Sequence, residues 1–353
     1  MRGDSFCLGI IGFGGMAEYH VTRAPEVPNF IAAAVFDIDP AALEKAQSMG
    51  MKAYTTVEQL LGDPEIDVVL VATPNDLHCE YAIMAMAAGK HVVCEKPVCM
   101  NSDELAKMIE ASKKYNKVFT VHQNRRWDDD FLAALAVLKT GQLGKVFSIE
   151  SRVQGSRGIP GEWRQLKEQG GGMVLDWGVH LIDQMLMMYN KKVTQVYVRM
   201  QHVNYDLVDD GFKVFITFED GLSAYIEVCT SCFVNLPRWH ISGDNGTLVL
   251  NNFKGQDGKI VCKYDPQEKV YVEAVNTGAG KTVTMAPRSE AEYKTFEIPK
   301  IVPDWTEFYK NVLATIKGDE QLLVKPEQAM RVMLVMEAMF KSEAEDKAVE
   351  VNI

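Results

Sequence analysis

Phe6-Cys7-Leu8-Gly9-Ile10-Ile11-Gly12-Phe13-Gly14-Gly15-Met16-Ala17 joins a short apolar run directly to a G-x-G-x-x-A turn. An apolar run of this length reads as a buried strand, and the turn after it opens a helix. Gly12 permits the tight bend, Gly14 lets backbone approach a pyrophosphate, and the small Ala17 allows close packing of helix on strand. The helix N-terminus adds unpaired N–H groups and a partial positive charge suited to a diphosphate. Gly12, Phe13, Gly14, Gly15 and Met16 are therefore candidate cofactor contacts. Glycine turns recur in many folds, so the flanking sequence has to agree.

The next apolar run, residues 30–36, ends at Asp37, 25 residues beyond Gly12. A carboxylate at that strand end accepts the ribose hydroxyls of a dinucleotide and repels a 2′-phosphate. Ile38 and Asp39 supply no guanidinium, so NAD is expected rather than NADP. The plainer alternative makes Asp37 a turn or cap residue ahead of Pro40.

Alternation continues through the first third of the chain. Thr55-x-x-Glu58 reads as a capping box, residues 66–72 as a strand, and residues 76–88 as a helix closed by Gly89. Residues 91–95 form the next strand, Asn101-x-x-Glu104 caps another helix, and residues 117–122 are a further strand. Strands separated by helices in this order predict a Rossmann-type, doubly wound parallel sheet with right-handed crossovers.

Ligands of such a sheet lie beyond the carboxyl ends of its strands. Three peptides collect there: Thr73-Pro74-Asn75, Glu95-Lys96-Pro97 and His122-Gln123-Asn124-Arg125-Arg126-Trp127. Thr73, Pro74, Asn75, Glu95, Lys96, Asn124 and Arg125 are candidate cofactor contacts on this ground. His78 joins them from the first turn of the following helix, where a histidine is more often structural. Lys96 is the sharpest candidate, since an amine held at the cofactor edge by the stiff Pro97 is placed for proton chemistry. A surface pair between Lys96 and Glu95 is the bland alternative. Arg126 is a candidate substrate contact, but Arg125 and Arg126 serve equally well as partners for Asp128, Asp129 and Asp130.

From about Val146 the pattern changes to longer, partly alternating runs at residues 193–203, 211–218 and 222–232. Asp220-Gly221 and Asp244-Asn245-Gly246 read as turns between consecutive strands, which predicts an open, largely antiparallel α+β sheet. A helix is expected over residues 173–183, after Gly170-Gly171-Gly172. Asp176 and His180 are four apart there, so one helix face carries both, and the carboxylate can fix the imidazole tautomer. His180 is then the candidate general base. No further clustered ligands accompany the pair, so no metal is expected. Trp163 and Arg164 are candidate cofactor contacts, and Trp163 a substrate contact, although an anchor at the domain interface explains them as well. Residues 303–316 and a helix opening at Lys325-Pro326-Glu327 should pack back on the core, with Met330, Met333, Met336 and Met339 facing it. The expected division is 1–124, 125–302 and 303–353.

The chain of 353 residues is longer than one core usually supports. Its 48 acidic and 37 basic residues give a net charge of −11, which disfavours nucleic acid and anionic membranes as partners. No apolar run reaches the roughly 18 residues a membrane span needs, and residues 1–4 are too short and polar for a signal region. Seven cysteines, several inside apolar runs, fit a reducing cytoplasm. Cys229-Thr-Ser-Cys232 has no second pair to complete a zinc site.

Taken together, the G-x-G-G-x-A turn, Asp37, Thr73-Pro74-Asn75, Glu95-Lys96-Pro97 and Gly170-Gly171-Gly172-Met173-Val174-Leu175-Asp176-x3-His180 resemble the Gfo/Idh/MocA oxidoreductases over nearly the whole chain. The resemblance implies an N-terminal Rossmann domain, a C-terminal open-faced sheet, a nicotinamide cofactor and a homo-oligomer built through the sheets. It implies Lys96, Asp176 and His180 as a catalytic trio, all three touching substrate, with a cis bond before Pro97. Substrates of the family are mostly sugars, inositols and glycosides. The expected reaction is NAD-dependent oxidation of a secondary hydroxyl. Redox-neutral glycoside cleavage through transient oxidation, or a sensor that has lost catalysis, are the rivals. Residues 151–163 and 253–298 are where substrate identity is expected to reside.

Overall fold

The computed structural model describes residues 5–265, 274–283 and 290–353. The expectation for residues 1–4, and part of that for residues 253–298, lies outside the described residues. The chain begins with β1 (Phe6–Ile11), α1 (Gly15–Arg23), β2 (Phe30–Phe36), α2 (Pro40–Ser48), β3 (Lys52–Tyr54) and α3 (Val57–Gly62). It continues with β4 (Val68–Val71), α4 (His78–Ala87), β5 (His91–Cys94), α5 (Ser102–Tyr115) and β6 (Phe119–Val121). These strands form one sheet in the order β3-β2-β1-β4-β5-β6, and every pairing is parallel. All four residues of β4 are buried, as a strand covered by helices on both faces requires. The chain reverses its direction of spread between β1 and β4, so the crevice for a ligand opens there.

Local signals set the helix starts. Asn101 accepts the Glu104 N–H at 2.9 Å while Glu104 accepts the Met100 N–H, so the reciprocal cap on α5 forms as expected. The cap on α3 sits one residue later than expected. Thr56 accepts the Gln59 N–H at 3.3 Å and Gln59 accepts from Thr55, because Gln59 rather than Glu58 occupies the third helical position.

The second unit contains α6 (Asp129–Thr140), β7 (Val146–Gln154), α7 (Val179–Met188), β8 (Val193–Gln201), β9 (Gly211–Phe218) and β10 (Ser223–Cys229). β11 (Trp239–Gly243), β12 (Gly246–Leu250), β13 (Gly258–Lys263), a small hairpin of β14 (Val275–Thr277) with β15 (Gly280–Thr282), and β16 (Tyr293–Phe296) follow. The chain closes with α8 (Glu307–Lys317), α9 (Pro326–Glu345) and β17 (Val349–Glu350). Nine strands pair in the order β16-β13-β12-β11-β7-β10-β9-β8-β17. All neighbours are antiparallel except β7 with β10, which makes the sheet mixed.

Helices α7 and α9 cover one face of this sheet, and α9 also reaches α5 and β6 of the first unit. Ser102 donates to Glu337 through its N–H at 2.6 Å and its hydroxyl at 2.9 Å. Thr120 donates to the Val324 carbonyl at 2.7 Å, and Val198 N–H donates to Ser342 at 3.1 Å. The C-terminal segment thus clamps both sheets, with Met333, Met336 and Met339 fully packed. Among the described residues no helix is long and apolar enough to cross a membrane.

Candidate active site

The glycine turn keeps its backbone open toward the crevice. Gly12 has φ +89° and a Cβ there would lie 2.8 Å from the Ala72 carbonyl oxygen, so glycine is required by conformation and by space. Cβ atoms on Gly14 or Gly15 would meet nothing within 4 Å, which leaves free room beside the N-terminus of α1. Asp37 braces this turn from the end of β2. Its Oδ2 accepts the Phe13 N–H at 2.6 Å and its Oδ1 the Asp39 N–H at 2.8 Å. A cleft of about 450 Å³ runs from here along the strand ends. Gly12, Phe13, Gly14, Gly15, Met16, Asp37, Thr73, Pro74, Asn75, His78, Glu95, Lys96, Trp163 and Arg164 all line it. The open glycine backbone, the helix N-terminus and a carboxylate at the second strand end fit a dinucleotide.

Several of these residues also hold the crevice in shape. Both ring nitrogens of buried His78 lie 2.9 Å from carbonyl oxygens, those of Pro97 and Thr73, so the ring ties two strand-end peptides together. Burial lowers its pKa despite those acceptors. Asn75 donates to the Gly170 carbonyl at 3.2 Å and so joins the first unit to the glycine loop of the second.

Gly172 opens the segment that carries the expected acid–base residues. With φ +101° it has no room for a Cβ, which would fall 2.3 Å from Asp209 Oδ1. Asp209 accepts the Val174 N–H at 2.8 Å, and burial pushes its carboxyl up to about 7. Val174–Gly178 is a π-helical turn that runs into α7. The expected helix is therefore present but wider-wound where Asp176 sits, a distortion common at functional sites.

Lys96 Nζ donates to Asp176 Oδ1 at 2.9 Å and to the Asp176 carbonyl at 3.1 Å. Arg164 Nε lies 3.4 Å from Asp176 Oδ2. Burial alone would raise the Asp176 carboxyl, but Lys96 and then Arg164 hold it below the ordinary range. His180 is buried, and its Nδ1 has no hydrogen-bond partner among the described residues. Burial, then the charges of Lys96 and Arg125, push its pKa well below that of a free imidazole. The Lys96–Pro97 bond is cis.

Several expectations need correction. Asp176 does not orient the His180 ring, because Lys96 and Arg164 take its side-chain oxygens and charge-assisted bonds outcompete a neutral imidazole. Arg126, expected as a substrate contact, does not line the cleft and does not pair with Asp128, Asp129 or Asp130. It is buried in a two-pronged bond with Asp183, at 2.7 and 2.6 Å, and also donates to Leu323 and Gln328. Arg125 does pair with Asp128, at 2.9 Å, and stacks over Trp177 at 4.1 Å. Arg125, Asn124, Asp176 and His180 are not among the residues lining the cleft, and of the expected trio only Lys96 lines it.

Sequence reasoning missed a buried group beneath the cleft. Glu95 is paired with His20 and His122 rather than with Lys96. His20 and Tyr309 carried no signal in the sequence, since each lies on a helix with ordinary spacing. All seven cysteines, including Cys229 and Cys232, are free thiols.

Comparison with known proteins agrees with this geometry. Residues 6–123 match the model of an oxidoreductase family with an NAD-binding Rossmann fold, GFO_IDH_MocA, and residues 131–249 match the GFO/IDH/MocA C-terminal domain. The crystal structure of an NAD-binding protein from Listeria innocua is 42% identical, with a TM-score of 0.93 over 98% of this chain and 99% of that one. A myo-inositol 2-dehydrogenase of Thermotoga maritima is 29% identical, covering 98% of both chains. A scyllo-inositol 2-dehydrogenase (NADP(+)) of Bacillus subtilis is 27% identical over 83% of this chain and 81% of its own.

Proposed function

Because the chain belongs to the Gfo/Idh/MocA family of NAD(P)-dependent oxidoreductases, we propose that it is an NAD-dependent dehydrogenase acting on a secondary hydroxyl of a sugar, inositol or glycoside. The observation that carries this reading is the contact between Lys96, at the end of β5, and Asp176, in the turn before α7. It joins the Lys96 amine, which lines one end of the cleft, to a carboxylate of the other unit directly behind it, with Asp37 three strands away at the other end. Bound in this cleft, lined by Gly12, Asp37 and Lys96, a nicotinamide cofactor would supply the hydride acceptor.

The chain's own residues manage the proton. His180, uncharged in its buried setting, takes the hydroxyl proton, and Lys96 donates to the oxygen as negative charge develops there. Asp176 fixes Lys96 through two oxygens, so the amine is aimed before substrate arrives. Trp163 and Arg164 wall this end, with the guanidinium 4.5 Å from the indole. Asp37 favours NAD over NADP, and exposed Ile38 beside it offers no charge to a 2′-phosphate. The relatives named as inositol dehydrogenases support a cyclic polyol or sugar as substrate.

The same reading includes a cytoplasmic homo-oligomer assembled through the sheet face turned away from α7 and α9, where Phe215 is half-exposed. The test of function is a panel of sugars, inositols and glycosides, each assayed with NAD+ and NADP+ in both directions by NADH or NADPH absorbance. NAD-linked turnover lost in Lys96→Ala supports the proposal. Wild-type rates in that variant, or no turnover across the panel, overturn it.

A further inference from the structure

Beneath the Lys96 end of the cleft lies a chain of four buried side chains to which the proton chemistry above gives no role. The Tyr309 hydroxyl is 2.7 Å from His20 Nδ1, and His20 Nε2 is 2.7 Å from Glu95 Oε1. The same carboxylate oxygen is 2.8 Å from His122 Nδ1, while Glu95 Oε2 accepts the Lys96 N–H at 3.2 Å. The four come from α8, α1 and the ends of β5 and β6, and none is more than 5% exposed.

One assignment of hydrogens satisfies all three side-chain hydrogen bonds of the chain. Tyr309 donates to His20 Nδ1, which leaves the His20 Nε2–H to donate to Glu95, and His122 donates its Nδ1–H to the same oxygen. This arrangement needs no proton on the carboxylate. Burial alone would raise the Glu95 carboxyl, but His122 and His20 hold it well below the ordinary range. Burial, then His122, lowers the pKa of His20, in keeping with an uncharged ring. The donor set resembles a metal site, yet spacings of 2.7 and 2.8 Å are those of hydrogen bonds. Donors about 2.1 Å from a tetrahedral zinc stand roughly 3.4 Å apart.

Glu95 also lines the cleft beside Lys96. Lys96 and Arg164 bring two positive charges to this end, and Asp176 offsets one of them. Glu95 supplies the second negative charge. Resting on the cofactor reading above, we propose that Glu95, held as an anion by His20 and His122, sets the preference of the site for the oxidised, cationic nicotinamide over the reduced, neutral one. Without that charge the pocket would carry a surplus positive charge against a cationic ring; with it, the two balance.

The test is direct titration of the wild-type protein and Glu95→Gln with NAD+ and with NADH, following heat or quenching of intrinsic fluorescence. In the wild type NAD+ binds at least as tightly as NADH. In Glu95→Gln, NAD+ weakens about tenfold relative to NADH. A ratio of dissociation constants unchanged within about twofold overturns the proposal, since a merely structural Glu95 would shift both nucleotides together. Wild-type protein that binds NADH ten times more tightly than NAD+ overturns it even if the variant does not fold. Failure of both nucleotides to bind the wild type removes the cofactor reading and this proposal with it, whereas binding with an unmoved ratio removes this proposal alone.

Discussion

Lys96 Nζ reaches both the side-chain Oδ1 and the main-chain oxygen of Asp176, a residue 80 positions away in the other structural unit. The contact makes the site dependent on how the two units are docked. Asp176→Asn keeps the shape but removes the charge that aims Lys96, and turnover should fall about 10²-fold or more while NAD+ affinity stays within a few-fold. The Asp176 carboxyl is pushed up by burial but pulled lower still by Lys96 and Arg164. A folded pKa below the unfolded ~3.9 contributes stability that is present above about pH 4 and lost as pH falls through the folded value. Acid unfolding of Asp176→Asn, followed by circular dichroism, should therefore lack that part of the wild-type decline below about pH 4.

The proposed preference for NAD makes Asp37 and its neighbour the residues to change. Asp37 accepts the Phe13 N–H, so replacing it by alanine would loosen the glycine turn as well as remove a charge. Serine retains an acceptor, and Ile38 is 88% exposed, leaving space for a longer side chain. Asp37→Ser with Ile38→Arg should raise the NADP+/NAD+ ratio of kcat/KM by about 10²-fold or more, since a guanidinium binds a 2′-phosphate through paired donors. Steady-state kinetics with both cofactors measure it.

The first sheet was legible because its strands are local apolar runs, each punctuated by glycine, proline or a capping residue. Lys96, Asp176 and His180 were legible as chemistry-bearing residues, but not their partners. An i,i+4 spacing says that Asp176 and His180 share a helix face; it says nothing of Lys96 and Arg164, which arrive from elsewhere and win the carboxylate. Arg126 was misread for the same reason, since Asp183 is distant in sequence and the nearby aspartates were the visible candidates. His20, His122 and Tyr309 meet at Glu95 only through tertiary packing, which no local period encodes.

Arg126 and Asp183 form a buried ion pair with side chains 4% and 3% exposed, away from the cleft residues. Removing one partner strands the other, so Arg126→Met should cost roughly 3–5 kcal/mol in denaturant unfolding. Arg126→Met with Asp183→Leu should recover much of that loss, because an apolar replacement of both ions avoids the desolvation penalty. Substrate KM in the folded single variant should stay near wild type. A rise in KM with unchanged stability would restore the substrate-binding role.

Burial, then the Lys96 and Arg125 charges, lower the His180 pKa well below that of a free imidazole, which suits the proton-accepting role proposed for it. His180→Asn should lower kcat by about 10²- to 10⁴-fold while leaving NAD+ binding near wild type, measured by steady-state kinetics and titration. The sign of its stability effect follows from the lowered folded value. Unfolded chains take up a proton on this ring as pH drops below about 6.5 and the folded protein does not, so the ring's contribution is intact above that pH and lost below it, down to the folded value. His20, His78 and His91 are also lowered by burial and impose a similar trend on both proteins. The informative quantity is thus the difference between wild type and His180→Asn. Thermal melts at about pH 7.5 and 5.5 should show the wild type losing more stability on acidification than the variant. Equal losses would mean that His180 is already free to charge in the folded protein, and with that its assignment as the proton acceptor would fall.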